Sequence, residues 1–408
     1  MHRLLSPDSH NQMPEAPSHW PACKAPERST FSLVALALAV AAIAASGSAT
    51  AQSLAGPQSI HSAWKNTELR RVELPAAITP SELPREANQT LLADAHREAA
   101  KNVLSGAGTV ALLLMDRGQV VFEGYAQGAT EQDRFLSFSI AKTMTALAVG
   151  EALCAGHVRS LDDRADTYAR DLAGTAYGEA SIRDLLRMAS GARGGQASTN
   201  GQPRPNATSD VIRGLTTVSR MLREHGQRDG SLFGPVRSGS RFAYSNPDTD
   251  ALSRVVQGAT GEPFATWFSK TVLARARPEA TSFWGIDSEG SVIAHAMYLA
   301  TLRDWARLAG SVLDLLKRRS GNTCMQDFVQ AATSRQILTY HREGFTAYGY
   351  QIWLEDRMLP PGSFWMMGFG GQRIGIDPVS ERIVVTFAWQ PQSDVFSMFS
   401  RWARDTAR

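Results

Sequence analysis

Apolar positions recur with helical spacing over residues 88–103 (Leu91, Leu92, Ala95, Ala99, Val103) and then give way to a continuous β-type run, Thr109–Met115. Asp116-Arg117-Gly118 reads as a turn and Gln119–Tyr125 as a second strand, so the pair is a hairpin. After Ser139 the spacing turns helical again, with Ile140, Met144, Leu147, Ala148 and Leu153 on one face. Residues 160–275 carry short helical patterns such as Ser181–Met188, a Gly/Asn/Pro-rich loop at 190–208 and a helix starting near Asp248. From 346 to 390 the pattern returns to strands: Tyr348–Glu355, Phe364–Met367, Arg373–Ile376 and Arg382–Trp389. Pro360-Pro361-Gly362 and Asp377-Pro378 mark turns between them, and Ser393–Arg404 is a closing amphipathic helix. Residues 52–85 read as a polar, extended lead-in.

Strands at both ends of the chain with helices between them predict an α+β fold. One antiparallel sheet is completed by both ends and flanked by helices, and a mainly helical lobe is inserted. The α/β lobe takes in residues 88–155 and 276–408, and the helical lobe residues 156–275. A cleft between two such lobes is where a site is expected.

The N-terminal pattern is of another kind. Residues 31–45, FSLVALALAVAAIAA, are apolar apart from Ser32; Lys24 and Arg28 precede them, and Ala49-Thr50-Ala51 follows as a cleavage pattern. This predicts a secretory signal peptide over 1–51 and a mature chain of 52–408 that is periplasmic or secreted. A permanent membrane anchor is the rival reading, but the run is shorter than the ~20 apolar residues of a bilayer span and carries a cleavage pattern, so cleavage is expected and no stable membrane span after it. The mature chain keeps two cysteines, Cys154 and Cys324. In an oxidising compartment they either pair or stay as two buried thiols.

Composition narrows the chemistry. The 408 residues hold 42 Lys plus Arg against 39 Asp plus Glu, a formal net charge of only +3 with the signs interspersed. No basic block with interleaved aromatics appears, so nucleic acid is not an expected partner. No Cys/His ligand spacing appears either, so neither metal nor cofactor is expected. Lysine is scarce, which makes one beside a candidate nucleophile stand out.

Ser139-Ile140-Ala141-Lys142 is that candidate. A serine hydroxyl needs a base to take its proton. A lysine three residues on, at the start of a helix, projects from the same face. Burial and the positive helix N-terminus both lower its proton affinity. The alternative is a serine that only caps a core helix, with its lysine solvated. The same spacing recurs at Ser62-Ala63-Trp64-Lys65, in the polar lead-in with no apolar helix after it, and there it reads as coincidence. Tyr244-Ser245-Asn246 lies 105 residues after Ser139; its phenol can relay a proton if a cationic lysine stabilises the phenolate. Asn246 can hydrogen-bond lysine or substrate. Gly368-Phe369-Gly370-Gly371-Gln372 lies between two strands, where a backbone N–H can join an oxyanion hole. Taken singly, a half-buried tyrosine beside an Asn-Pro turn and a plain Gly-rich bend account for these two. His295, before a helical stretch, either faces the cleft or is an ordinary partly buried histidine, the reading taken first, and Trp353, Trp365 and Trp389 read as strand residues in the core.

In that order the three motifs resemble the serine β-lactamase and penicillin-binding superfamily. The likeness is to its class C-like branch, with family VIII-type esterases and 6-aminohexanoate-dimer hydrolases. Ser160-Leu161-Asp162-Asp163, the stretch Ser181–Gly191, Phe242-Ala243-Tyr244-Ser245-Asn246 and Tyr348-Gly349-Tyr350-Gln351-Ile352-Trp353 support it. The resemblance implies a β-lactamase/transpeptidase-like fold and an acyl-transfer site. Ser139 would be the nucleophile, Lys142 its base and Tyr244 the proton shuttle, with Asn246 positioning. Backbone N–H groups of Ser139 and Phe369, the latter between Gly368 and Gly370, would form the oxyanion hole. Where β-lactamases carry K-T-G or H-T-G, this chain reads Met366-Met367-Gly368 and lacks the cation for a substrate carboxylate. The A-x-G-x-x-G-Q pattern of the 6-aminohexanoate-dimer hydrolases fits better, with Met366 in place of Ala. An exported serine hydrolase of small-molecule carboxylic esters or amides is therefore expected first. A class C-like β-lactamase or D-Ala-D-Ala peptidase comes second, and an inactive envelope binding protein of the same fold is the non-enzymatic alternative.

Overall fold

The structure is a computed structural model and describes residues 61–405 except 88–89, 194–206, 232–233, 320–321, 341–343 and 392–393. The expected signal peptide and most of the 190–208 loop lie outside the described residues.

Strands are numbered in chain order: β1 Arg71–Leu74, β2 Thr109–Asp116, β3 Gln119–Tyr125, β4 Phe135–Leu136, β5 Gly230–Ser231, β6 Gly234–Pro235, β7 Ser282–Gly285, β8 Tyr298–Ala300, β9 Ile337–Leu338, β10 Phe345–Tyr348, β11 Trp353–Asp356, β12 Phe364–Met367, β13 Arg373–Asp377 and β14 Arg382–Ala388. The helices used below are α1 Asp94–Ser105, α2 Ile140–Cys154, α3 Ile182–Leu186, α4 Asn246–Thr260, α5 Leu302–Leu316, α6 Thr323–Ala332 and α7 Asp394–Arg404.

Eight strands form one sheet in the order β3-β2-β14-β13-β12-β11-β10-β9. Every neighbouring pair is antiparallel, and β2 pairs with β14, so both halves of the chain close the sheet as expected. The continuous apolar character of β2 follows from burial on both faces. Leu112 and Leu114 join a core with Ala100, Val103, Phe399 and Trp402 from α1 and α7. Ala111, Leu113 and Met115 join the opposite core with Ile140, Met144, Trp305 and Leu308 from α2 and α5. A second sheet runs β1-β7-β8-β4.

Helix α2 carries no polar face because nothing around it is solvent: residues 140 to 152 are all buried. Gly150 lets α6 come close, since a methyl there would lie 2.6 Å from the Phe328 ring. The last turn of α2 is also tied covalently to the start of α6 by a disulfide between Cys154 and Cys324. That settles the pairing the sequence left open. Between α2 and β7 lie short helices, the β5–β6 hairpin and the longer α4.

Three strand readings need correction. Tyr348–Glu355 is two strands, β10 and β11, paired with Tyr348 opposite Trp353. The chain reverses in residues 349–352, where Gln351 takes a left-handed φ of 60° and buries its amide in hydrogen bonds. Its Nε2 donates to the carbonyls of Leu185 and Leu186, its Oε1 accepts from Thr249, and its carbonyl accepts from Thr143. A side chain so fully used holds a turn that propensity does not announce. The lead-in also contains β1, which pairs with β7, because β1 needs a partner two hundred residues away. Trp389 lies just past the end of β14. Trp353 and Trp365 are buried strand residues, as read.

Candidate active site

Ser139 occupies the N-cap of α2, yet its side chain makes no capping hydrogen bond. Ser181, Ser245 and Thr301 stand at comparable positions, and each accepts from the backbone N–H three residues on, at 3.1, 3.3 and 3.1 Å. The Ser139 hydroxyl is instead met by Lys142 Nζ at 3.0 Å. The capping-only reading of this serine is therefore excluded, and so is a solvated lysine: Lys142 is 1 % exposed. Phe138, just before Ser139, has a φ of 42°, a strained region for an aromatic residue. This sharp entry sets Ser139 at the first turn, where Ile140, Ala141 and Lys142 begin the helical hydrogen bonds.

The second partner of Lys142 is main chain: its Nζ also donates to the carbonyl of His295 at 3.0 Å. The Tyr244 ring lies beside the amine, 5.2 Å from Nζ to the ring centroid. Burial lowers the Lys142 ammonium to about 7, against an opposing pull from the Asp250 carboxylate. An amine brought near neutrality can shed its proton at physiological pH, as a general base has to.

Tyr244 is fixed by aromatic neighbours. It stacks on Trp353 at 5.4 Å and meets Tyr348 edge-on at 6.3 Å. The β10–β11 hairpin sets those two residues side by side. Asn246 opens α4, whose N-cap is Ser245. Behind this turn Asp248 is fully buried and takes the Ser190 hydroxyl at 2.8 Å; burial raises its carboxyl to about 7.

The Gly-rich bend joins β12 to β13 and is closed by the Gly368 N–H donating to the Gln372 carbonyl at 2.8 Å. Arg373 clamps it from behind, its Nη1 donating to the carbonyls of Gly368 and Gln372 at 2.6 and 2.8 Å. Glycine is required at 368 because a Cβ there would run into the Ser137 carbonyl oxygen. The bend backbone is thereby laid directly against the two residues that precede Ser139. Gly370 has a left-handed φ of 77°. Phe369 is 70 % exposed and meets Phe138 edge-on at 5.7 Å.

The structure thus brings Ser139, Lys142 and Tyr244 together and seats the Gly368–Gly370 bend beside the segment that enters Ser139. The second Ser-x-x-K is not part of it: Lys65 pairs with Asp133 at 3.0 Å. His295 differs from expectation. It is almost fully buried at 2 % exposure, and its main chain bonds the lysine. Asp250 was not anticipated. An acid in the buried half of α4 is the signal that could have marked it. Among the described residues no cluster of His, Cys, Asp or Glu is arranged to hold a metal ion. No helix there is long and apolar enough to cross a membrane.

Residues 97–405 match the family model described as Beta-lactamase. A 6-aminohexanoate-dimer hydrolase of Paenarthrobacter ureafaciens is 25 % identical over 308 residues, which cover 70 % of this chain and 74 % of that protein. A Bacillus anthracis protein provisionally named a 6-aminohexanoate-dimer hydrolase superposes with a TM-score of 0.66 at 21 % identity, over 82 % of this chain and 89 % of that one. EstCE1, described as a hydrolase with promiscuous acyltransferase activity, superposes with a TM-score of 0.61 at 15 % identity, over 78 % and 99 %. The two structural likenesses carry the β-lactamase/transpeptidase-like α+β fold. Matched over most of its length, the chain belongs to the Beta-lactamase family and is a hydrolase of the serine β-lactamase and penicillin-binding superfamily.

Proposed function

We propose that this protein is an exported hydrolase that cleaves small carboxylic esters or amides through an acyl-enzyme on Ser139. The observation that carries the reading is the buried Lys142 amine at 3.0 Å from Ser139 Oγ. In its neutral form the amine accepts the hydroxyl proton as Oγ attacks the acyl carbon. The oxyanion is taken by backbone N–H groups at Ser139 and Phe369, in the bend held by Gly368 and Gly370. Tyr244, beside the lysine, passes the proton to the leaving alcohol or amine, which departs and leaves the acyl group on Ser139. Water then adds to the acyl carbon, the serine is re-protonated and the carboxylic acid leaves. Asn246, two residues on from Tyr244, positions the substrate.

Several features support esters and amides over β-lactams. The end of β12 offers Met366 and Met367 where a cation would hold a substrate carboxylate. Arg373, paired with Met367 across β12 and β13, is committed to the bend carbonyls and lies over the Phe396 ring. Phe369 presents an exposed apolar ring beside the bend, suited to an acyl chain. The relative named for hydrolysing the 6-aminohexanoate dimer keeps amides beside esters. Export is supported by the apolar run 31–45 with Ala49-Thr50-Ala51 after it, and by the Cys154–Cys324 disulfide, a bond typical of oxidising compartments.

The test is p-nitrophenyl butyrate hydrolysis by the 52–408 form, wild type beside Ser139→Ala, with the first turnover resolved. The expected result is turnover in the wild type and none in the variant. Equal rates in both would overturn the reading.

A further inference from the structure

The mechanism above uses the Lys142 amine but leaves unexplained a buried acid and imidazole behind it. Asp250 sits in α4 and is fully buried. One of its oxygens, Oδ1, accepts the backbone N–H of His295 at 3.2 Å, and Oδ2 meets His295 Nδ1 at 2.7 Å. One carboxylate thus grips a single residue at two points, main chain and side chain. The carbonyl of that same residue is the second partner of Lys142, at 3.0 Å. One helical turn along α2, Thr145 Oγ1 donates to the Ala294 carbonyl at 3.0 Å, so residues 294 and 295 lie flat along the helix that carries the nucleophile. His295 Nε2 is buried with no hydrogen-bond partner among the described residues, so Nδ1 is the ring nitrogen engaged.

We propose that Asp250 and His295 act together as a positioning device for the general base, fixing where the Lys142 amine sits and how readily it gives up its proton. This rests on the assignment of Lys142 as base. The device has a mechanical and an electrostatic part. Mechanically, the two-point grip orients the His295 peptide so that its carbonyl faces Nζ and holds the amine within reach of Ser139. Electrostatically, Asp250 is the carboxylate that opposes the desolvation of Lys142 and keeps it from losing its proton too early to be an effective base. The other ionisable groups around α2 do not share the task. Tyr244 is the phenol beside the amine, Asp248 is bound to Ser190, and Glu151 pairs with Arg275 nine residues further along the helix.

The experiment compares wild type with Asp250→Asn, His295→Ala, His295→Asn and Lys142→Ala by pH–rate profiles on p-nitrophenyl butyrate, with circular dichroism and thermal midpoints alongside. Asp250→Asn removes the charge but keeps the shape. The acidic limb of its kcat/KM profile is expected to move down by about half a pH unit or more, because the carboxylate that favours the protonated amine is gone. Its plateau kcat is expected to fall about tenfold, with KM little changed. His295→Ala frees the peptide and is expected to lower kcat similarly. His295→Asn can still donate to Asp250 from the position of Nδ1 and is expected to recover most of that loss. A profile for folded Asp250→Asn that superimposes on wild type would overturn the proposal. If Asp250→Asn fails to fold, His295→Asn decides, and no recovery relative to His295→Ala would overturn it. Lys142→Ala separates the two levels: if it keeps full activity, the assignment of the base itself has failed, whereas its inactivity with unshifted Asp250→Asn profiles removes only this inference.

Discussion

On the proposed mechanism two residues, Ser139 and Lys142, carry the chemistry, and the second is held at a thermodynamic loss. A lysine buried at 1 % exposure resists protonation, which is why burial brings it to about 7 from its ordinary value of 10.5. The base works only when neutral, so kcat/KM is expected to rise with pH through about 7 and to level above it. A profile flat across the neutral range would contradict the role. The stability sign follows separately. The folded form binds fewer protons here than the unfolded chain between about 7 and 10.5, so stability rises with pH through that window. At pH 7 Lys142 is thus a burden on the fold. Lys142→Met is expected to abolish turnover while raising the thermal midpoint, by a margin that shrinks toward alkaline pH. Calorimetry of both proteins checks this, and a lowered midpoint at neutral pH would show that the lysine is structural. Lys142→Ala is expected to lower kcat by roughly two to four orders of magnitude.

At the scale of elements, the site is assembled where three of them meet: the start of α2, the turn into α4, and the β12–β13 bend. The bend is positioned by sterics. A Cβ at position 368 would run into the Ser137 carbonyl, so Gly368→Ala must push the bend away from Ser139. The expected loss is 10²–10³-fold in kcat, the scale of one lost oxyanion donor, with folding retained; near-normal kcat would place the oxyanion hole elsewhere. What the sequence made legible sorts by range. Strands β2, β3, β12 and β14 and helix α2 have a strong local periodicity, and their bounds differ from the pattern by a residue or so. Strand β1 was invisible because four residues paired to β7 have no local signature. The β10–β11 turn was hidden because Gln351, not a glycine-proline pair, holds it through side-chain hydrogen bonds to distant helices. Ser139 and Lys142 were marked by their spacing at the start of an apolar helix, and Tyr244 only by the order of the three motifs and the family resemblance. Asp250 and the His295 carbonyl were not, since a main-chain acceptor has no residue type and only the apolar face of α4 sets its buried acid apart from an ordinary helix-start carboxylate.

In the molecule as a whole, pairing of β2 with β14 joins strands from the two halves of the chain in one sheet, and the Cys154–Cys324 bond locks α2 to α6 across 170 residues. A cross-link over so long a loop stabilises by roughly 4–5 kcal/mol on the chain-entropy account. Replacing both cysteines by serine is expected to lower the thermal midpoint by roughly 5 °C in a chain of this size. Thiol titration of the unreduced 52–408 form should find no free cysteine. An unchanged midpoint, or two reactive thiols in protein recovered from an oxidising compartment, would contradict the link. The most direct test of the account remains the bond it says must form. Protein mixed with p-nitrophenyl butyrate, quenched in acid within the first turnover and digested for mass spectrometry, should carry one butyryl group on the peptide containing Ser139, and Ser139→Ala should carry none. A butyryl group on any other residue, or turnover without acylation, would contradict it.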